Sequence, residues 1–146
     1  MFVMAIVDAT LAAQNAVVAA ESLGLGTVYI GGLRNHPERV AELLRLPPMS
    51  FAVFGLCIGW PARKSEVVKP RLPQKVVLHR ETYAASGPSD GIDEYDAVME
   101  EFYARTGMGV AGGWSRHSAE RISSPAALRG RDRLSSALQL LGFPLR

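Results

Sequence analysis

The sequence predicts a domain that mixes helices with a few short strands, α/β or α+β. Two observations carry that expectation. An alanine-rich stretch from Phe2 to Leu23 has no proline or glycine and is apolar almost all round, as a buried helix would be. Two apolar β-type runs, Thr27 to Ile30 and Phe51 to Ile58, then stand on either side of a segment with helix start and stop signals.

In order along the chain, Gly24 and Gly26 should end the first helix. Thr27 to Ile30 follows as a short buried strand. Asn35 is the expected N-cap of a second helix, with Pro37 in its first turn and Glu38 near its positive end. That helix should run to Leu44 or Arg45, where Pro47-Pro48 stops it. Phe51 to Ile58 reads as a central strand, closed by Gly59 and Pro61. Two strands separated by a helix could form a right-handed parallel unit.

Ala62 to Gln74 is a proline-punctuated connector, Val76 to His79 a short strand and Thr82 to Gly91 a loop. Ile92, Tyr95, Val98, Met99, Phe102 and Tyr103 recur at helical spacing, so Ile92 to Arg105 should be an amphipathic helix. Gly107 to Gly113 is mobile or tightly turned. Ser124-Pro125 resembles a helix start, and Arg131 to Leu141 should form a last helix, stopped by Gly142 and Pro144.

Bulk properties exclude several classes. The 146 residues make one domain or part of one, and an apolar fraction of 48% supplies a core. A net charge of +2 is too small to argue for nucleic acid, and the C-terminal arginines have no interleaved aromatics. Cys57 is the only cysteine, so no internal disulfide can form, and its apolar surroundings read as those of a buried, inert thiol. The apolar start lacks a basic n-region and is followed by Asp8, Gln14 and Asn15, which argues against a signal peptide or membrane span and for the cytoplasm. His36, His79 and His117 lack metal-ligand spacing, so no metal is expected. Gly24 and Gly26 end a helix instead of opening one, and Tyr29 stands where a third small residue belongs, so a dinucleotide fingerprint fails.

What remains is a pair of features that suit one ligand. Gly31-Gly32 ends the first strand with no side chains, so something flat could lie against the backbone and take its amide donors. Lys69 and Arg71, two apart in the proline-stiffened KPRLP, point to the same side if the segment is extended. A backbone slot and a two-cation clamp suit a planar ring carrying a phosphate, a description FMN meets.

The segments AAQNAVVAAESLGLG, VYIGGLRN, FGLCIGWP and KPRLP occur in this order, and the chain carrying them resembles the FMN-dependent nitroreductase family. The likeness is to the branch of oxygen-insensitive NADPH nitroreductases and flavin reductases, and it is strongest from Asp8 to Tyr83. It implies an α+β fold, a mixed sheet between helix layers, built as an intertwined homodimer. Residues 1–146 would then be one nitroreductase-like domain without its N-terminal part, since no His-Arg-Ser-Ile-Arg-like motif precedes Met1.

The resemblance also implies roles. Tyr29, Ile30, Gly31 and Gly32 would line the flavin ring on its N5 side, where an amide donor stabilises developing charge. Arg34 would hold the ring edge or support the loop, and Lys69 and Arg71 would bind the FMN phosphate. Arg131, placed by its distance from Gly142-Phe143, would be the catalytic arginine that meets nicotinamide or nitro substrate. The implied activity is hydride transfer from NADPH or NADH through FMN to nitroaromatics, quinones or free flavin. In the family, arginines in the loop matching Arg105 to Trp114 meet the NADPH 2′-phosphate. Here that loop reads RTGMGVAGGW and keeps only Arg105, so both reductants stay open. Two other functions stay open as well: a non-catalytic remnant that folds or dimerises without FMN, and a flavin carrier without turnover.

Overall fold

The computed structural model describes residues 1–62, 67–83 and 88–145, without the side chains of 88–90. Two compact units divide the chain, Met1–Lys64 with Leu128–Arg146, and Ser65–Ala127.

In the first unit, helix α1 (Phe2–Ser22) forms over the expected stretch, and Gly24 ends it at φ 79°. The burial expected along it is confined to Val17 and Ala20. Val3, Met4 and Leu11 are 60% or more exposed. A helix apolar on every side needs cover on every side, and within its unit α1 meets strand β1 (Gly26–Ile30) and, at its start, the rings of Phe51 and Phe143. By length and composition alone α1 could cross a membrane, a test that core helices of soluble proteins also pass.

Strand β1 pairs with β2 (Gly55–Gly59), and the pairing is antiparallel, Gly26 opposite Gly59 and Ile30 opposite Gly55. The parallel unit is therefore not formed. The intervening helix α2 (Pro37–Leu44) packs mainly on the last helix of the unit and not on the sheet, so no crossover is built. Strand β2 is also shorter than expected. The Val53 carbonyl accepts from the Arg34 guanidinium at 2.6 Å, a side-chain bond where a strand ladder would need a backbone one. With only two strands in the sheet among the described residues, neither β1 nor Cys57 is buried: Val28 is 54% exposed, and Cys57 opposite it is exposed too.

The N-cap of α2 is His36, not Asn35, because Gly31–Asn35 is itself a 3-10 helix that Asn35 completes. Pro37 follows at the first position, where its missing N–H costs nothing. Arg45 closes α2 in the left-handed conformation. At the other end of the unit a 3-10 turn, Arg131–Arg133, leads into helix α6 (Leu134–Leu140), and Gly142 turns the chain away at φ 94°. Helices α2 and α6 pack together, with Ala41, Ala137 and Leu138 buried.

In the second unit, the strand expected over Val76 to His79 is instead part of a short helix, α3 (Gln74–Val77). Two causes are visible. Pro73 sets the entry, and Val76 lies against Gly91 of helix α4 (Pro88–Thr106), where a side chain at residue 91 would collide with it. No strand stands beside it among the described residues. Helix α4 begins at Pro88, ahead of the expected Ile92, a position a proline favours. Of the loop expected over Thr82 to Gly91, residues 84–87 lie outside the described residues, as do 63–66 of the earlier connector.

The apolar stripe of α4 makes the core of this unit. Tyr95, Met99, Phe102 and Tyr103 are buried, with Leu72, Val110 and Trp114 packed against them. Gly107, Gly109 and Gly112 take positive φ, so the glycine stretch is tightly turned. Helix α5 (Trp114–Glu120) was not legible in the sequence, and Ser124-Pro125 lies in a run of turns that starts no helix. The reason is tertiary. Asp96 on α4 accepts the Ser115 backbone N–H at 2.8 Å and the Ser115 hydroxyl, so a carboxylate from another helix does the capping that Gly113 cannot.

Candidate functional site

The glycine pair opens the 3-10 helix Gly31–Asn35 directly after β1. The first N–H groups of such a helix have no acceptor within it. The two glycines differ. A Cβ on Gly31 would stand 2.9 Å from the Arg34 guanidinium, whereas one on Gly32 would meet nothing within 4 Å. The chain's own packing therefore does not require glycine at 32, and the backbone there is open to a ligand. An open groove of about 540 Å³ runs alongside, lined by Gly32, Leu33, His36, Arg39, Val40 and neighbours.

Arg34 is half-buried and bonded to Val53, so between holding a ring edge and supporting the loop, its contacts are those of a loop support. Tyr29 stacks edge-on against Phe54, and its hydroxyl reaches Gln14 of α1 at 3.5 Å. Ile30 is adjacent on the same strand, so its side chain leaves by the opposite face. One wall can then take only one of these two side chains, with the backbone of the other.

Lys69 and Arg71 lie in the second unit and are both exposed. Between them Pro70 is half-buried, and its carbonyl accepts from the Tyr95 hydroxyl at 2.9 Å. That bond ties the segment to the core helix α4 and leaves both cations facing solvent. Lys69 Nζ lies 5.8 Å from the centre of the Tyr103 ring, a cation–π contact. Among the described residues neither cation has a carboxylate partner. Burial raises the Tyr95 hydroxyl above its usual range, with Tyr103 and Asp96 adding to the effect and Arg71 opposing it, so Tyr95 stays a neutral donor.

Arg131 is exposed in the 3-10 turn, its Nε donating to the Leu128 carbonyl at 3.1 Å. The turn adjoins the glycine loop, since Gly130 sits so close to the Asn35 carbonyl that a Cβ would be 2.5 Å from it. Gly31, Gly32, Arg34 and Arg131 thus share one unit, and Lys69 and Arg71 belong to the other.

Sequence reasoning missed the groups that brace this region. Arg133 Nη2 donates to Glu38 Oε1 at 3.2 Å and approaches His36 Nδ1 at 3.4 Å. The backbone N–H of Glu38 and the Arg133 guanidinium hold the Glu38 carboxyl below its usual range against the opposing cost of burial. No sequence signal links positions 95 residues apart, and the charge cluster around Arg133 reads equally as a solvated face. Among the described residues no group of His, Cys, Asp and Glu could hold a metal ion.

Residues 1–60 match the model of the nitroreductase family, and residues 69–146 match that family's C-terminal domain. An oxygen-insensitive NADPH nitroreductase of Salmonella typhimurium is 45% identical over 117 residues, covering 78% of this chain and 47% of that protein. An NADPH-flavin oxidoreductase of Vibrio harveyi is 46% identical over 118 residues, covering 80% and 48%. Among solved structures, NfrA1 of B. megaterium superposes with a TM-score of 0.87 at 40% identity over 99% of this chain and 57% of its own. The NADPH:FMN oxidoreductase of Vibrio harveyi, complexed with NAD+, gives 0.81 at 39% identity over 97% and 55%. The chain spans about half the length of these relatives.

Proposed function

The chain belongs to the nitroreductase family, its fold is the α+β fold of that family, and on this premise we propose that it acts as an FMN-dependent oxidoreductase. It would take hydride from NADPH or NADH and deliver electrons to nitroaromatics, quinones or free flavin. The names of its relatives support the reductant and the flavin. The single observation that carries the reading is the KPRLP segment. Lys69 and Arg71 are exposed without carboxylate partners among the described residues, on a backbone held by two prolines and the Tyr95–Pro70 bond. Little freedom is left to lose when an anion arrives there.

The residues present fit FMN. In the first unit Gly32 offers open backbone and the start of the 3-10 helix offers N–H donors to a ring; in the second, taken by itself, Lys69 and Arg71 suit a phosphate. FMN held by these residues would supply the hydride chemistry. The protein's part is binding and orientation. Lys69 and Arg71 hold the phosphate through charge-assisted hydrogen bonds, each worth about 1.5–3 kcal/mol. The Gly31 and Gly32 amides and the backbone of Tyr29 and Ile30 form the ring's wall, Arg34 braces the loop, and Arg131 orients the incoming nicotinamide or acceptor.

The stretch from Arg105 to Trp114 borders a groove of about 550 Å³ whose lining includes Glu100, Tyr103 and Gly107, with the Arg116 side chain beside Gly112 and Lys69 Nζ 5.8 Å from the centre of the Tyr103 ring. The stretch itself keeps Arg105 alone, so the reductant of this reading stays NADPH or NADH. Residues 1–146 are read as one nitroreductase-like domain, cytoplasmic and homodimeric. The exposed apolar side of α1, with Val3, Met4, Val7 and Leu11, supports the dimer by offering surface to bury.

The test is an absorbance spectrum of the purified chain incubated with FMN and desalted. A retained band near ~450 nm, bleached by NADPH or NADH without oxygen, is expected. Replacing both Lys69 and Arg71 by Ala should cut FMN affinity at least ~100-fold, as two lost charge-assisted bonds require. A folded chain that retains no flavin sinks the enzyme reading and leaves a non-catalytic remnant. A band that neither nucleotide bleaches leaves a flavin carrier.

A further inference from the structure

The turn that carries Arg131 is strained and is held from outside. Arg129 and Gly130 are consecutive residues in the left-handed region, at φ 55° and 94°. An arginine adopts that conformation only where its surroundings enforce it. Three ties to the segment Asn35–Glu38 are present. Gly130 lies against the Asn35 carbonyl with no room for a Cβ. Arg133 binds Glu38 Oε1 at 3.2 Å and meets His36 Nδ1 at 3.4 Å. The other Glu38 oxygen is buried without a hydrogen-bond partner among the described residues, so the carboxylate depends on Arg133 and its own backbone N–H to stay in place. With three residues per turn, positions 131 and 133 of a 3-10 helix point in different directions. Arg133 can therefore be anchored to α2 while Arg131, its Nε on the Leu128 carbonyl, turns its exposed terminal nitrogens to a ligand.

We propose that Arg133 is a positioning residue: its bridge to Glu38 and His36 fixes the Gly130–Arg133 turn on the loop that carries Gly31 and Gly32, and so sets where Arg131 stands. The functional half of this inference rests on Arg131 meeting the acceptor, as proposed above; the structural half does not.

Two measurements separate them. The first is amide hydrogen exchange on the full chain and on its Arg133→Gln and Glu38→Gln variants. The Arg131 and Arg133 amides bond to the Leu128 and Gly130 carbonyls. Both should exchange about tenfold faster in either variant, with the amides of Val17 and Ala20, buried on α1 in the same unit, unchanged as a check that this unit is folded. Unchanged exchange at 131 and 133 overturns the proposal.

The second is equilibrium binding of 4-nitrobenzoate, a nitroaromatic anion, to the FMN-loaded chain without nicotinamide, followed by the flavin spectrum. Arg133→Gln should weaken binding about fivefold while FMN stays bound. The double variant Arg131→Ala/Arg133→Gln should bind no more weakly than Arg131→Ala alone, because one residue acts through the other. The exchanged pair Glu38→Arg/Arg133→Glu should restore most of the loss. Additive effects, or no effect of Arg133→Gln where Arg131→Ala has one, overturn the positioning role. If Arg131→Ala itself changes nothing, the role given to Arg131 fails, and the exchange experiment alone decides the brace.

Discussion

Replacing Asp96 by Ala isolates the tertiary cap on which helix α5 depends. Asp96 accepts the Ser115 N–H at 2.8 Å and the Ser115 hydroxyl from a half-buried position, and Gly113 at the helix start has no side chain to substitute. Losing an N-cap costs about 0.5–2 kcal/mol, and a hydrogen bond to a charged group contributes about 1.5–3 kcal/mol. The contributions overlap, and water reaches the half-buried site, so the expected loss is about 2–3 kcal/mol. Trp114 begins α5 and packs on the core of its unit, so urea unfolding followed by its fluorescence, in a Trp60→Phe background, reads the right region.

The pH dependence adds a second constraint. Burial pushes the Asp96 carboxyl up, but the Ser115 hydroxyl, the backbone N–H groups of Ser115 and Trp114 and the charge of His117 outweigh it, so the folded value lies below the ordinary 3.8. A depressed carboxylate stabilises the fold fully above its unfolded pKa and loses that contribution as pH falls through the folded one. The gap between wild type and Asp96→Ala should thus be constant from about pH 5 to 8 and shrink below about pH 4. A loss under about 0.5 kcal/mol at pH 7, or a gap that widens in acid, would refute the capping argument.

Three further outcomes follow from the same contacts. Gly32→Ala should leave the melting temperature within about 2 °C, since its Cβ meets nothing, yet weaken FMN binding about tenfold in a fluorescence titration; equal affinity would place the ring elsewhere. Met99→Ala should cost about 2–5 kcal/mol in urea unfolding, because Met99 is fully buried at the centre of the second unit's core. Tyr95→Phe removes the bond to the Pro70 carbonyl; it should cost about 0.5–1.5 kcal/mol of stability and loosen FMN binding by less than the loss of either cation, as flavin titrations of the three variants would show.

Helices with strong local signals were legible from residues alone. Alanine content and the absence of breakers placed α1, Pro37 placed the start of α2, and the stripe from Tyr95 to Tyr103 placed α4 and the core it makes. These signals work because helix hydrogen bonds close within a few residues. The glycine pair, KPRLP and the last arginines were legible for another reason. The ligand contact proposed for them would ask for specific residue types at specific spacings, which a sequence displays directly.

What sequence could not settle was every feature whose partner is distant. The sense of the β1–β2 pairing, the helical state of Val76, the exposure of Cys57 and the existence of α5 all depend on which surface lies alongside. The brace between Arg133 and Glu38 likewise joins segments with no local relation. Residue order by itself thus determined the family, the local helices and the residues proposed for the site. Tertiary structure alone decided register, burial and the orientation of Arg131's turn, because a strand edge, an apolar face or a charge acquires its partner only when remote segments meet.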